Sequence, residues 1–102
     1  MAGPPNTGWT AGVLAAELNS TLTESSPELD DAGLTVYLHS DRIGINNDDI
    51  FMATRALITV PFATPVAIPE LMSSFDDGDP TLTAGGRVMV FHRELDLQQM
   101  TR

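Results

Sequence analysis

Residues 58–72, "ITVPFATPVAIPELM", alternate apolar side chains with small or proline residues, as a β-strand does. Side chains at even positions form one largely apolar face, because successive side chains of a strand point to opposite faces. The prolines Pro61, Pro65 and Pro69 all fall at odd positions, so the missing N–H donors lie along one edge of the strand. The pattern predicts an extended edge strand over residues 58–68 that accepts a single neighbouring strand.

The length of this strand leaves two alternatives open. Eleven extended residues span roughly 35 Å, whereas a domain of this size has a radius of gyration of only about 13 Å. The strand therefore either bends and wraps the core or projects as an arm onto another subunit. An exposed apolar arm must be covered, and this predicts a subunit interface formed by Val60, Phe62, Val66 and Ile68.

The N-terminal part of the chain predicts an arm followed by a helix. Residues 1–8 contain two prolines and two glycines and are expected to form a flexible arm, with residues 9–102 as a single domain. Thr10 is the expected N-cap, and the expected helix ends near Glu24, before "SSP". Its apolar face is marked by leucines at every fourth position: Leu14, Leu18 and Leu22.

Two further segments predict strands. Residues 34–40, "LTVYLHS", are rich in β-branched and aromatic side chains, and residues 87–95, "RVMVFHREL", are apolar on both faces, as a central strand is. Residues 46–57 form either a hairpin with "NNDD" at its turn or a short helix, and the alternation of apolar residues favours the hairpin. Residues 73–86 are expected to be a loop. The predicted fold class is α+β, with the N-terminal helix packed on a small antiparallel sheet that carries the proline-rich edge strand or arm.

The charge balance excludes several partners. Fourteen acidic residues face five arginines and no lysine, giving a net charge of -9. A nucleic-acid or anionic-membrane surface needs cations, so direct binding to either is not expected. The composition suits a protein from a high-GC or halophilic source. The chain has no cysteine, no signal-peptide pattern and no apolar run of membrane-spanning length. We expect a cytoplasmic protein or a component of a virion.

Two sets of polar residues are candidates for chemistry. His39 and His92, with Asp41 and Glu94 nearby in sequence, would form a metal or acid–base site if their strands were neighbours in register. The clusters "NNDD" (46–49) and "DDGD" (76–79) supply oxygen ligands of the kind calcium prefers. The alternatives are surface histidines and solvated turns. No phosphate-binding loop or nucleophile elbow is present, so neither a cofactor nor an enzymatic activity is expected.

The order of these elements resembles a family of viral assembly proteins. The segments "TAGVLAAELNSTL", "GLTVYLHS", "RALITVPFATP", "PELMSSF" and "RVMVFHREL" follow one another as in the small tail-terminator and head–tail connector proteins of tailed viruses. A second long helix of that family is reduced here to a stub at residues 69–75. The resemblance implies a homo-oligomeric structural subunit that contacts other assembly proteins and has no catalytic residues.

Three functions remain as hypotheses. The leading hypothesis is a non-enzymatic subunit of a homo-oligomer, in a virion head–tail or tail structure. The second is a small protein-binding module that adds a partner's strand to a free sheet edge, that is, by β-augmentation. The third is a small α+β enzyme that uses His39 and His92.

Overall fold

The computed structural model of the chain describes residue 8 and residues 14–44 and 47–101. These residues form two antiparallel sheets, of four and three strands. The first sheet has the order β1-β2-β3-β4 and consists of β1 (Glu24–Leu29), β2 (Thr35–Gly44), β3 (Asn47–Thr54) and β4 (Val66–Ala67). The second has the order β5-β6-β7 and consists of β5 (Asp77–Leu82), β6 (Val88–Arg93) and β7 (Asp96–Thr101). Three short 3-10 turns span Ala16–Leu18, Pro69–Leu71 and Ala84–Gly86.

The predicted α+β fold is wrong, because the structure is mostly β and no described helix reaches seven residues. Residues 14–23 contain only one 3-10 turn, and Leu14 is 80% exposed instead of packed on a sheet. Residues 19–23, "NSTLT", are mostly weak helix formers whose side chains compete for backbone hydrogen bonds. Here the Ser20 hydroxyl accepts a bond from the Leu22 N–H and donates to the Glu24 carboxylate. The proposed cap Thr10 lies outside the described residues, as does most of the expected arm.

The proline-rich stretch is not one continuous strand. The chain turns where the Val60 N–H donates to the Leu57 carbonyl at 3.2 Å, and only Val66–Ala67 form a strand. This short strand β4 pairs with β3 alone and ends its sheet. The groups that bond to β3 belong to even positions, as where the Ile68 N–H donates to the Ile50 carbonyl at 3.2 Å. Pro65 and Pro69 fall at odd positions, so their missing donors lie on the outer edge of β4. Pro65 and Ile68 are buried, which brings the chain back to the core.

The strands predicted at residues 34–40 and 87–95 are confirmed as β2 and β6, and β6 is central in its sheet. The hairpin is also found, since β2 pairs antiparallel with β3. Three of the four residues of "NNDD", namely Asn47, Asp48 and Asp49, belong to β3 and not to a turn. Residues 73–86 are not a plain loop, because they contain β5.

The first sheet is covered on both faces. The core between the two sheets consists of Tyr37, Ile50, Ile68, Leu71, Met89 and Phe91. The core on the opposite face of the first sheet consists of Val36, Leu38, Phe51 and Ala53, against which Leu18, Phe62 and Ala67 pack. β5 joins the two sheets by lying against β1, β2 and β3.

The molecule is elongated, with principal extents of 54 × 31 × 28 Å and a Cα radius of gyration of 15.4 Å. A compact domain of about 100 residues has a radius of about 13 Å. No helix in the described part of the chain is long and apolar enough to cross a membrane.

The fold is tested by comparing an inter-sheet core residue with the leucine that the helical alternative would bury. Ile50 is 1% exposed and Leu14 is 80% exposed. Ile50→Ala should lower the free energy of unfolding by about 2–5 kcal/mol, because it leaves a cavity between the sheets. Leu14→Ala should change it by less than about 0.5 kcal/mol. Urea titration followed by circular dichroism measures both, and a large loss from Leu14→Ala would contradict the two-sheet core.

Candidate functional site

The two sheets bring both histidines to one site. His39 lies on β2 and His92 on β6, and their ring centroids are 6.5 Å apart. Between them stands Asp79 of β5, which is two-thirds exposed, while the His39 side chain is 14% exposed and the His92 side chain 33%. The two histidines are close together, but through strands of different sheets and not through neighbouring strands in register, which was the condition of the hypothesis.

Asp79 connects three strands at this site. Its carboxylate oxygen Oδ2 lies 3.0 Å from Nδ1 of His92, and its backbone N–H donates to Nδ1 of His39 at 3.2 Å. The hydroxyl of Ser26 on β1 donates to the other carboxylate oxygen, Oδ1. The Ser26 bond is the largest influence on the Asp79 carboxyl and lowers its pKa, with partial burial opposing and His92 adding to the effect. This tie therefore stabilises the fold above the ordinary aspartate pKa and weakens as the pH falls.

The hydrogen bonds assign a different tautomer to each ring. Nδ1 of His39 accepts a backbone N–H, so the proton of the neutral ring resides on Nε2. Nδ1 of His92 faces a carboxylate and donates to it, so Nε2 of the neutral ring carries the lone pair. His92 with Asp79 thus has the orientation of an acid–base dyad. Neither imidazole accepts a hydrogen bond from a hydroxyl group in the described part of the chain.

Two irregular strand positions shape the site. Ser26 and Asp79 both have positive φ, 53° and 49°. Each lies at a register shift, between Ser25 and Glu28 in the β1–β2 pair and between Gly78 and Thr81 in the β5–β6 pair. Such bulges redirect side chains, and left-handed conformations of non-glycine residues cost about 1–3 kcal/mol each. The two bulges meet through the bond between Ser26 and Asp79.

Gly78 allows the two rings to approach the backbone of β5. A Cβ on Gly78 would lie 2.6 Å from Nδ1 of His39 and 3.0 Å from Cε1 of His92. The first distance is shorter than real Cβ contacts, so any other residue at this position would displace the His39 ring or push β5 away from β2. The glycine of "DDGD" is therefore required by close packing of the two imidazoles.

The two acidic segments of the sequence also converge here. The Asp48 N–H on β3 donates to the Asp76 carboxylate at 2.8 Å, and the Asp76 N–H lies 3.4 Å from Oε1 of Glu94. Burial raises the pKa of the Asp48 carboxyl; the histidines oppose this effect, and Asp76 and Asp41 add to it. Within residues 14–44 and 47–101, no group of three or more histidine and carboxylate side chains is placed to hold a metal ion. The two segments proposed to bind calcium are therefore in contact, but their described side chains do not form a coordination site.

A buried pair of aspartates lies next to this cluster. Asp77 is fully buried, and its carboxylate accepts from Nε of Arg93 at 2.9 Å and from the Ser73 hydroxyl at 2.8 Å. Asp49 is 2% exposed, and its Oδ1 has no hydrogen-bond partner in the described structure. Burial raises the pKa of the Asp49 carboxyl, and the neighbouring Asp77 raises it further. Ionisation of the buried Asp49 carboxyl therefore opposes folding.

The structure places a different carboxylate beside the histidines than the hypothesis named. Asp41 accepts a hydrogen bond from the Thr23 N–H, and Glu94 lies beside the Asp76 N–H, whereas the carboxylate that contacts His92 is that of Asp79. Asp79 is thus the carboxylate partner of His92, whereas the sequence pattern indicates Asp79 only as one of the candidate calcium ligands of "DDGD". Identifying Asp79 from the sequence would require recognising β5 as a strand in which Gly78 pairs with His92.

The predicted interface residues occupy different surroundings. Ile68 is buried between the sheets, and Phe62 packs on the opposite core. Val60 is 37% exposed and Val66 60% exposed. The interface itself stays a prediction, with Val60 and Val66 as the members that the single chain presents to solvent.

A second concave site lies toward the beginning of β6. This pocket of about 260 Å³ opens between the sheets and is mainly apolar. Its lining includes Tyr37, Met52, Leu82, Met89 and Met100, with Glu70 and Arg87.

Comparison with known proteins gives no relative. No family model, no curated protein and no solved structure matches the chain. Its function must therefore be inferred from its own residues.

Gly78→Ala tests the packing of the histidine site. The added methyl group should separate β5 from β2 and lower the free energy of unfolding by about 1–3 kcal/mol. In a His39→Ala background the same change should cost less, because the ring that it meets at 2.6 Å is gone. Chemical denaturation of the four chains gives this coupling. Equal costs in the two backgrounds would contradict the close approach.

Asp49→Asn tests the buried charge. The variant removes a carboxylate whose pKa is raised by burial, so the folded chain should be more stable at pH 7 by about 1–3 kcal/mol. The gain should shrink as the pH falls toward the ordinary aspartate pKa of about 3.9, because wild-type Asp49 is then protonated. Asp96→Asn removes an equal charge from an exposed position and should have little effect. Thermal unfolding from pH 3 to 8 measures this, and a loss of stability at pH 7 would refute the assignment.

Proposed function

We propose that the chain is a non-enzymatic structural subunit that assembles with copies of itself and with other proteins of the same assembly. The observation that carries the proposal is the apolar loop, residues 56–65, which has no charged side chain. In the single chain, Leu57 is 60% and Ile58 66% exposed, followed by Val60 at 37%. Apolar side chains grouped in this way on a globular protein are typical of an interaction surface.

The apolar loop is held in a defined shape. Nε of Arg55 donates to the Gly33 carbonyl at 2.9 Å, and Nη1 reaches the Val60 carbonyl at 3.5 Å. The guanidinium carbon lies 4.1 Å from the ring centroid of Phe62, a cation–π contact. A surface fixed in this way loses less conformational entropy when it binds. The loop is therefore suited to a subunit contact.

The histidine site favours a structural role. Both carboxylate oxygens of Asp79 are engaged within the chain, by Ser26 and His92, and its N–H is engaged by His39. The hydroxyl of Ser26 donates to Asp79 and not to an imidazole, so it is not activated as a nucleophile. These contacts tie β1, β2, β5 and β6 together. The enzyme hypothesis consequently has weaker support than assembly.

Two finer points belong to the proposal. A virion head–tail or tail location follows only from the resemblance in element order, of which β2 and β6 are found and the N-terminal helix is not. A binding module acting by β-augmentation is the second candidate, favoured by the free edge of β7. The net charge of -9 supports protein partners instead of nucleic acid.

Assembly is tested by measuring molar mass in solution. Wild-type protein should self-associate in size-exclusion chromatography with light scattering, and native mass spectrometry should give the copy number. Leu57→Ser/Ile58→Ser should reduce the assembly without unfolding the chain, because both side chains are exposed in the monomer. The matched control is Leu14→Ser/Ile43→Ser, which removes two apolar side chains that are 80% and 62% exposed elsewhere. A wild-type chain that stays monomeric at high concentration would refute the proposal.

A further inference from the structure

The two sheets have four outer strands, and three of them carry features that prevent pairing with another chain. β1 contains Pro27 and a bulge at Ser26. β4 is only two residues long. β5 contains Pro80 and a bulge, and it lies against the first sheet. Prolines, bulges, short strands and covered edges are the means by which proteins protect sheet edges.

β7 has none of these features. It pairs with β6 in continuous register from Arg93–Asp96 to Val88–Thr101, without a bulge. Its sequence, "DLQQMT", has no proline, glycine or basic residue, and Asp96 is its one charge. Every residue except Met100 is exposed, and Leu97 is 76% exposed. No described strand pairs with its outer edge.

The hairpin geometry identifies the backbone groups at this edge. β6 and β7 are joined by the two-residue turn Glu94–Leu95, which is closed by the pair Arg93 and Asp96. In a two-residue hairpin the closing pair exchanges hydrogen bonds, and bonded pairs then alternate along the ladder. The N–H and C=O groups directed away from β6 therefore belong to Leu97, Gln99 and Thr101.

For pairing with a second copy, charge favours the antiparallel orientation. The chain carries a net charge of -9, so a pairing surface between copies must keep carboxylates apart. Antiparallel pairing about Gln98 or Gln99 places each Asp96 opposite the far end of the other strand, more than about 13 Å from its counterpart. This exceeds the screening length of about 8–10 Å at moderate salt. Parallel pairing would place the two carboxylates about 5 Å apart.

We infer that β7 is a self-pairing edge, which joins antiparallel to β7 of a second copy and unites two three-stranded sheets into one sheet. The inference rests on the proposed function and names one of its contacts. Two copies related in this way form a closed, twofold-symmetric dimer. Larger assemblies then need a second surface, for which the apolar loop is available.

The edge is tested by Gln99→Pro. This variant removes an outward N–H and leaves the bonds between β6 and β7 in place, because Gln99 lies at a pair that does not exchange bonds with β6. A symmetric dimer loses both copies of the bond, so its dissociation constant should rise about tenfold or more. Gln99→Ala keeps the N–H and should leave dimerisation nearly unchanged. Analytical ultracentrifugation measures the constants.

Gln99→Glu provides a second variant that leaves the backbone unchanged. It places like charges near the twofold axis and should weaken the dimer, with recovery at high salt. Combined with Leu57→Ser/Ile58→Ser, either edge variant should give monomers, whereas the loop variant alone should stop at dimers.

The failures of the two proposals are distinguishable. If Gln99→Pro and Gln99→Glu self-associate as strongly as the wild-type chain does, self-pairing through β7 is overturned and the assembly proposal stands. A monomeric wild-type chain overturns both. A monomeric chain whose β7 edge captures extended peptides of other sequence overturns self-pairing in favour of β-augmentation.

Discussion

The close approach of the Gly78 backbone to the rings of His39 and His92 is the contact on which the arrangement of the two sheets depends. It allows β5 to lie against the first sheet, and it places Asp79 where it can bond to three other strands. Ser26 and Asp79, which both have positive φ, bond to each other next to this contact. The cost of these conformations is offset by the hydrogen bonds that they allow.

In the irregular segments of this chain, aspartate carboxylates accept hydrogen bonds from several backbone N–H groups. The Asp30 carboxylate accepts the N–H groups of Leu34 and Thr35 at the start of β2, and the Asp31 carboxylate accepts that of Gly85. A short acceptor on the side chain suits irregular segments between strands. Asp49 departs from this rule, because one of its oxygens is buried without a partner. The excess of aspartate over glutamate thus has a structural use beyond surface charge.

The sequence predicts those strands whose propensity and burial agree. β2 and β6 are rich in β-branched and aromatic residues and are central, whereas β5 contains glycine and proline and β7 contains glutamines, so neither has a local strand signal. The spacing of Leu14, Leu18 and Leu22 predicts a helix, but of these three leucines it is Leu18 that packs against the first sheet. His39 and His92 could be proposed as a pair from their strands. Asp79 could not, because its position depends on β5 and on a bulge that only tertiary packing determines.

Self-assembly of so acidic a chain imposes a condition on its contact surfaces. Copies that carry a charge of -9 repel one another until the counterions screen them. Association must therefore come from short-range contacts on uncharged surfaces, through burial of apolar area and pairing of backbone groups. The apolar loop and β7 are such surfaces, since Asp96 is the one charged residue in either. Each lies at a boundary of a different sheet, so an isologous contact at one and a second contact at the other can coexist in a single assembly.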